Sequence, residues 1–176
     1  MKDCNIKSNL IKNSIVERCG PSESNILNKS GTIYHSDTWD IVVKSGFNVG
    51  INYIISTYDS RTVAVTPIYI SRRFGIKIFG SPLRGVFTEF LGPIFIDKLS
   101  DEDKNTILSS QMNTLRGMNA HYIEFSLKSD CLSPQALNAV SEKTNFMYFA
   151  RPSLEIDLSI GKELIWKQFE SRARNM

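Results

Sequence analysis

Residues 49–79, VGINYIISTYDSRTVAVTPIYISRRFGIKIF, decide the fold class of this chain. The opening residues of this stretch alternate between apolar and other side chains, which is the pattern of a strand with one buried face. Residues 58–61 predict a hairpin turn, and the branched residues after it predict the return strand. Pro67 inside that strand favours an edge position or a bulge, because proline cannot donate to the ladder. Residues 75–79 predict a third strand.

The residues before this stretch predict two helices. An apolar stripe favours a helix over residues 6–18, and a glycine–proline step follows it. Residues 22–32 are polar and predict a connecting turn. Ser36 or Asp37 can cap a second, short helix that Gly46 ends.

The second half of the chain alternates helices and strands. Residues 81–96 combine prolines and glycines with apolar residues, which predicts an exposed, irregular loop with buried anchors. Ser100, with Asp103 three positions later, predicts a capped helix that reaches about Met118. The remaining predicted elements are a strand over 123–127, a helix from Ser133, a β segment over 145–158 and a helix around Trp166. This order indicates an α/β (α+β) fold with a mixed, mainly antiparallel sheet flanked by helices.

The bulk composition is that of an ordinary globular domain. The chain has 176 residues, of which 41% are hydrophobic and 22% charged, so we expect one domain over residues 1–176 with a sizeable core. The net charge of +3 is too small to argue by itself for nucleic acid or an anionic membrane as the partner.

Cysteine and histidine usage predicts a reducing compartment and no metal site. Cys4, Cys19 and Cys131 form no CxxC pair and are interpreted as reduced thiols. His35 and His121 are too few for a site built on several imidazoles. The N-terminus lacks the pattern of a signal peptide and no apolar run is long enough to cross a bilayer, so the cytoplasm is the expected location.

Three further groups of charged or titratable residues have alternative interpretations. Arg84 and Glu89 are embedded among apolar residues, which predicts either a salt bridge that supports the loop or a contact with substrate. For His35, capping or simple exposure is favoured over catalysis. Residues 72–75, RRFG, are interpreted as a charged turn between strands rather than as a phosphate-binding loop.

The C-terminal residues predict that the chain continues in a longer protein or ends in a frayed helix. The helix around Trp166 runs into Arg172 and Arg174 without a visible cap. With Lys167, these arginines form either a solvated helix end or a site for phosphate.

Three segments together resemble FemAB-type transferases. The first is IYHSDTWDIVVKSG at 33–46, where a short motif around Trp39 leads a helix, and the second is SPLRGVFTEFLGPIF at 81–95, a loop with a Gly-Pro step. The third is LEIDLSIGKELIWKQFESRARNM at 154–176, which is the most specific of the three. The resemblance covers nearly the whole chain.

The resemblance implies a GNAT-like fold, in a family usually built from two such domains in tandem, and this chain is similar to the N-terminal one. Members transfer an amino acid from aminoacyl-tRNA to peptidoglycan precursors, or acyl groups in cell-surface and polysaccharide pathways. Trp39, Arg84 and Phe87 would then bind the acceptor, and Glu89 is the candidate catalytic base. Arg172 and Arg174 would contact phosphate of the donor or acceptor.

The donor expected from the resemblance is an acyl-CoA or an aminoacyl-tRNA, with no permanently bound cofactor or metal. The acceptor would be an amine or a hydroxyl, such as that of a cell-envelope precursor. The alternative is a non-catalytic GNAT-like binding or assembly module that forms a homodimer through the surface left by the missing second domain.

Overall fold

One mixed sheet is the centre of the computed structural model, which describes residues 6–96, 99–128, 130–150, 159 and 161–168. Its strands are β1 (Lys12–Val16), β2 (Gly50–Tyr58), β3 (Arg61–Arg73), β4 (Ile76–Ser81), β5 (Ile94–Phe95) and β6 (Tyr122–Phe125). The strand order is β1-β2-β3-β4-β6, with β5 also paired to β3. The pairs are antiparallel except that of β4 and β6, which is parallel. The predicted mixed, mainly antiparallel sheet is confirmed.

Helices cover both faces of this sheet. Leu27 and Val43 bring two helices onto one face, where the core includes Tyr69. Leu115 brings the longest helix onto the other face, against Ile54. The helices are α1 (Pro21–Ser30), α2 (Asp37–Gly46), α3 (Asp101–Gly117), α4 (Pro134–Thr144) and α5 (Lys162–Gln168), with short 3-10 turns at Ser8–Leu10 and Ile33–His35.

The predicted hairpin of β2 and β3 is present, but β3 is a central strand and not an edge strand. β3 pairs with β4 from Tyr69 onward and with β5 at Ala64 and Val65. Pro67 lies in the interval between these two neighbours, and its carbonyl accepts a hydrogen bond from Ser81 Oγ. The backbone N and O of one residue point to the same side of a strand. The nitrogen of Pro67, which carries no hydrogen, therefore faces the space between β4 and β5, where β3 has no strand partner. The sheet loses no hydrogen bond at this position.

The predicted helix caps of α2 and α3 are confirmed. Ser36 Oγ accepts from the amide of Trp39 at 3.2 Å, and α2 ends at Gly46. Ser100 Oγ accepts from the amide of Asp103 at 3.1 Å and donates to its carboxylate at 2.7 Å. Each cap satisfies an amide that the first turn of a helix leaves without a partner.

The predictions for the N-terminal third were wrong in two places. Residues 6–18 form the turn Ser8–Leu10 and then β1, not a helix. The predicted turn at 22–32 is mostly the helix α1, which begins with Pro21 at its first position. Leu27 is the buried residue of α1, so the sequence of this helix shows no apolar period.

The predicted β segment at 145–158 is also wrong as far as the structure describes it. α4 ends at Thr144 and is followed by its C-cap Asn145, whose φ of 56° is left-handed. Residues 146–150 form no strand. Residues 151–158 lie outside the described residues. The final helix is present as α5.

A chain of uncharged hydrogen bonds crosses the interface between the sheet and α3. Thr66 Oγ1 donates to Gln111 Oε1 at 2.9 Å, and Gln111 Nε2 donates to Ser56 Oγ at 2.9 Å. Ser56 Oγ then donates to Asn13 Oδ1 at 2.7 Å. Asn13 in turn donates to Ser110 and Thr114 of α3, so an inward-facing polar residue of β1 is fully bonded.

Candidate functional site

The loop that joins β4 to β5, residues 82–93 and here named the site loop, lies at the carboxyl end of β4. Since β4 and β6 are parallel, the carboxyl ends of both strands meet at the same edge of the sheet. In open sheets with parallel strands, ligands bind at this edge. The site loop is therefore where the fold favours a binding site.

Buried anchors fix the site loop to the sheet. Leu83, Val86 and Leu91 are buried in the core on the α1–α2 side. Ser81 Oγ, next to a cis Ser81–Pro82 bond, accepts from the amide of Gly92 at 3.0 Å. The predicted irregular loop with buried anchors is confirmed.

Gly92 makes the sharp return of this loop possible. Its φ is +67°, a left-handed conformation that glycine adopts most readily. A Cβ at this position would also lie 2.6 Å from the side chain of Leu127. Both the backbone conformation and the nearby Leu127 side chain therefore favour glycine at position 92 of the Gly-Pro step.

Trp39 ties α2 to the site loop. Its Nε1 donates to Thr88 Oγ1 at 2.9 Å. Its ring lies edge-on to Tyr34 at 5.1 Å between centroids, and Tyr34 packs in the same manner on Phe90 at 5.5 Å. These three rings form an aromatic wall beside the loop.

His35 is hydrogen-bonded to the backbone of the site loop. It is buried, and the amide of Thr32 donates to its Nδ1 at 3.1 Å. Since Nδ1 accepts, Nε2 carries the proton and donates to the carbonyl of Leu91 at 3.1 Å. Burial lowers the pKa of His35, so the neutral ring is favoured. The capping interpretation is confirmed, and simple exposure was wrong.

Arg84 forms the ion pair that the sequence left open, with a partner the sequence did not indicate. Its Nε lies 3.3 Å from Glu124 Oε2 of β6, and its backbone amide donates to Glu124 Oε1 at 2.6 Å. Glu89 is exposed on the same loop, and its carbonyl accepts from Ser126 Oγ at 2.8 Å. A salt bridge that supports the loop is therefore present, between Arg84 and Glu124.

Phe87 is the most exposed apolar side chain of the site loop, with 84% of its surface accessible. Its ring packs edge-on against Phe47 at 5.8 Å. The structure thus places Arg84, Phe87 and Glu89 on one loop and Trp39 against it. Arg172 and Arg174 lie outside the described residues. The functional roles of all six stay predictions.

A buried group of titratable side chains near Trp39 was missed from the sequence. The hydroxyl of Tyr53 donates to the carboxylate of Asp40. Burial raises the pKa of Asp40, against the opposing effect of this bond. Burial and the Asp40 carboxylate raise the pKa of the Tyr53 hydroxyl. The spacing in the sequence could have indicated this cluster. Asp40 lies three positions before the buried Val43 and therefore on the inward face of α2.

Cys19 and Tyr69 extend this group. Burial, with the nearby carboxylates of Glu23 and Asp40, raises the pKa of the Cys19 thiol to about 12. The hydroxyl of Tyr69 is buried, and among the described residues no group makes a hydrogen bond of good geometry with it. Burial raises its pKa. The Cys19 thiol and the hydroxyls of Tyr53 and Tyr69 hold their protons at neutral pH, so they can donate hydrogen bonds but do not supply a ready nucleophile.

Among the residues that the structure describes, no helix has the length and apolar character that crossing a bilayer requires. The same residues hold no cluster of three or more His, Cys, Asp or Glu side chains arranged to bind a metal ion.

Comparison with known proteins gives no relative from which a function could be transferred. No family model, no curated protein and no solved structure matches this chain.

Proposed function

We propose that this chain is a GNAT-like acyl or aminoacyl transferase domain of the FemAB type, whose site loop binds the acceptor. The observation that carries the proposal is the position of the site loop. The residues singled out from the FemAB-like motifs, Trp39, Arg84, Phe87 and Glu89, lie on it or against it. The mixed, mainly antiparallel sheet flanked by helices is the architecture that the resemblance implies.

The surface offers the groups that binding an acceptor requires. The Arg84 side chain is 68% exposed, so its guanidinium can still bind a carboxylate or phosphate of the acceptor. The exposed ring of Phe87 offers an apolar contact. In the proposed reaction the acceptor nitrogen or oxygen attacks the donor carbonyl and Glu89 takes the proton from the acceptor. The bond from that carbonyl to the thiol sulfur or ribose oxygen of the donor breaks, and the leaving atom receives the proton from Glu89.

The start of α3 is poorly suited to bind the phosphates of the donor. A helix N-terminus normally favours anions, but the first turn of α3 carries Asp101, Glu102 and Asp103. These carboxylates already use the positive end of the helix dipole and would repel a phosphate. The resemblance instead implies that Arg172 and Arg174 contact phosphate of the donor or the acceptor.

The test is calorimetric binding of acetyl-CoA, an aminoacyl-tRNA and a soluble peptidoglycan-precursor mimic. We expect saturable binding of the precursor mimic, weakened about tenfold or more by Arg84→Ala, since a charge-assisted bond contributes about 1.5–3 kcal/mol. Arg61→Ala, at the exposed start of β3, is the matched control. Equal binding by the wild type and Arg84→Ala would contradict the assignment of the acceptor to the site loop.

A second candidate function is an assembly module that forms a homodimer. The observation that favours it is a row of exposed branched residues, Ile33, Ile41 and Val42, in and just before α2. Exposed apolar surface of this kind is typical of interfaces. Sedimentation equilibrium of the wild type and of Ile41→Lys tests it, with dissociation to monomer expected for the variant. A monomeric wild type would exclude this candidate.

A further inference from the structure

The turn between β3 and β4, residues 72–77 and here named the hairpin tip, lies at the end of β4 opposite to the site loop. Phe74 is at its apex and is fully exposed, with a relative accessibility of 103%. Phe74 has a φ of 51°, followed by Gly75 at 79°. Ile76 beside it is also exposed. The charged turn predicted from the sequence is present, and an apolar apex extends from it.

Three features of the hairpin tip either oppose folding or add no stability to the fold. A bulky side chain at positive φ is strained. An exposed phenylalanine gains nothing from burial. Arg72 lies directly opposite Lys77 in the register, and like charges in that position destabilise a strand pair. Local features that weaken a fold without a compensating contact are expected at functional sites.

The hairpin tip carries three cationic side chains, Arg72, Arg73 and Lys77. Arg72 and Arg73 form no salt bridge with any residue of the described chain. The strands β3 and β4 contain no acidic residue. Lys77 differs, because its ammonium donates to the carbonyl of Met118 at 3.0 Å. The tip therefore combines an apolar apex with two available guanidinium groups directly behind it.

We infer that the hairpin tip docks on the surface of an anionic lipid bilayer, with the ring of Phe74 in the headgroup region and Arg72 and Arg73 on lipid phosphates. Aromatic rings favour this interface, and each basic residue near an anionic leaflet adds to the attraction. Single-stranded nucleic acid needs a groove in which cations track the backbone beside a stacking ring. An apex of Phe74 and Ile76 offers no such groove, so a lipid surface fits better.

The inference does not depend on the proposed transferase activity. The hairpin tip and the site loop are separated by β4, whose length of six residues spans about 17 Å at about 3.3 Å per residue. Docking of the tip would leave the site loop uncovered. Failure of either proposal can thus be recognised separately.

The test is flotation with vesicles of phosphatidylcholine alone and of phosphatidylcholine with about 30% phosphatidylglycerol, at low and at physiological salt. We expect the wild type to bind only the anionic vesicles. Arg72→Gln with Arg73→Gln should weaken binding about 25-fold, because each charge near the surface is worth about fivefold. Phe149→Ser, which removes another exposed phenylalanine, is the matched control and should bind as the wild type does.

Phe74→Gly separates loss of the ring from loss of folding. Glycine tolerates the positive φ, so we expect an equal or higher melting temperature together with binding about tenfold weaker. Binding of this variant at the wild-type level would overturn the inference. A wild-type protein that does not bind anionic vesicles would overturn it as well. Binding of transfer RNA instead of vesicles, with the same dependence on Phe74, would overturn it in favour of nucleic acid.

Discussion

The carboxylate of Glu124 on β6 binds both the side chain and the main chain of Arg84 in the site loop. The guanidinium lies 3.3 Å from one oxygen, and the amide donates to the other at 2.6 Å. Because the Arg84 side chain is 68% exposed, the ion pair itself stabilises the fold by less than about 1 kcal/mol. The bond to the amide fixes the backbone where the loop leaves the sheet.

Glu124→Ala is therefore expected to loosen the site loop without unfolding the chain. The amide of Arg84 would lose its acceptor, so its hydrogen exchange should rise at least tenfold, while the melting temperature falls by only a few degrees. Hydrogen exchange followed by mass spectrometry measures this in the peptides that cover 82–90. Glu142→Ala, at an exposed position of α4, is the control. Unchanged exchange in Glu124→Ala would show that the buried anchors alone hold the loop.

The bond between Trp39 and Thr88 should appear as a coupling energy between the two residues. Trp39→Phe and Thr88→Val each remove one partner of a hydrogen bond of 2.9 Å, between a half-buried indole and a buried hydroxyl. We expect a coupling of about 1 kcal/mol in a double-mutant cycle, because each single variant leaves one group unpaired. Urea unfolding of the four proteins measures it. Additive effects would mean that the ring contacts, and not this bond, connect α2 to the loop.

Stability should fall on acidification because of His35. Burial lowers the pKa of His35 in the folded state, so the unfolded chain takes up the proton more readily. The stabilisation is fully present above the unfolded pKa of about 6.5 and is lost as the pH falls through that value towards the lower folded pKa. Protonation of His35 at Nδ1 would also remove the lone pair that accepts the hydrogen bond from the Thr32 amide.

Melting temperatures between pH 8 and pH 5 measure this effect, with His35→Gln as the variant that lacks the titrating group. The variant should be less stable at pH 8 and should lose less stability on acidification than the wild type. Asp40 acts in the opposite sense, because its raised pKa favours the folded state as the pH falls, and it does so in both proteins. Equal slopes for the two proteins would contradict the assignment to His35.

Gln111 is fully buried and bonds to Thr66 and Ser56. Gln111→Leu keeps a similar volume but leaves the hydroxyl of Thr66 without an acceptor, which should destabilise the fold by about 2 kcal/mol. Adding Thr66→Val should recover most of that loss, since replacing both partners by apolar groups can be nearly neutral. Urea midpoints measure both, and Gln135→Leu at the exposed start of α4 is the control. No recovery in the double variant would point to a packing effect.

The sequence predicted the elements that bury a regular apolar face or carry a cap. β2, β3 and α3 bury apolar residues that the sequence pattern marks, and α2 and α3 carry caps. In α2 the apolar pattern does not match the burial, because Ile41 and Val42 are exposed and Asp40 is buried. β1 was missed because Asn13, one of its inward residues, is polar, and its partners on α3 lie about a hundred residues further along the chain. A single strand does not reveal such a distant match.

The candidate site was predictable in its loop but not in its contacts. Glycines and prolines marked residues 82–93 as irregular, and the charges on it were visible. The partner of Arg84 is Glu124, forty residues away on a strand brought alongside by α3. Parallel pairing of this kind depends on the path of the whole chain, so no local pattern encodes it.

The hydrogen-bond chain from Thr66 through Gln111 and Ser56 to Asn13 has a consequence for the evolution of this protein. Each member donates to or accepts from the next, so replacing one alone leaves its neighbour unpaired in the interior. We expect homologous sequences to keep this group together or to exchange it together for apolar residues. In an alignment of such sequences, the four positions would then change together, and this correlation would reveal the contact between the sheet and α3.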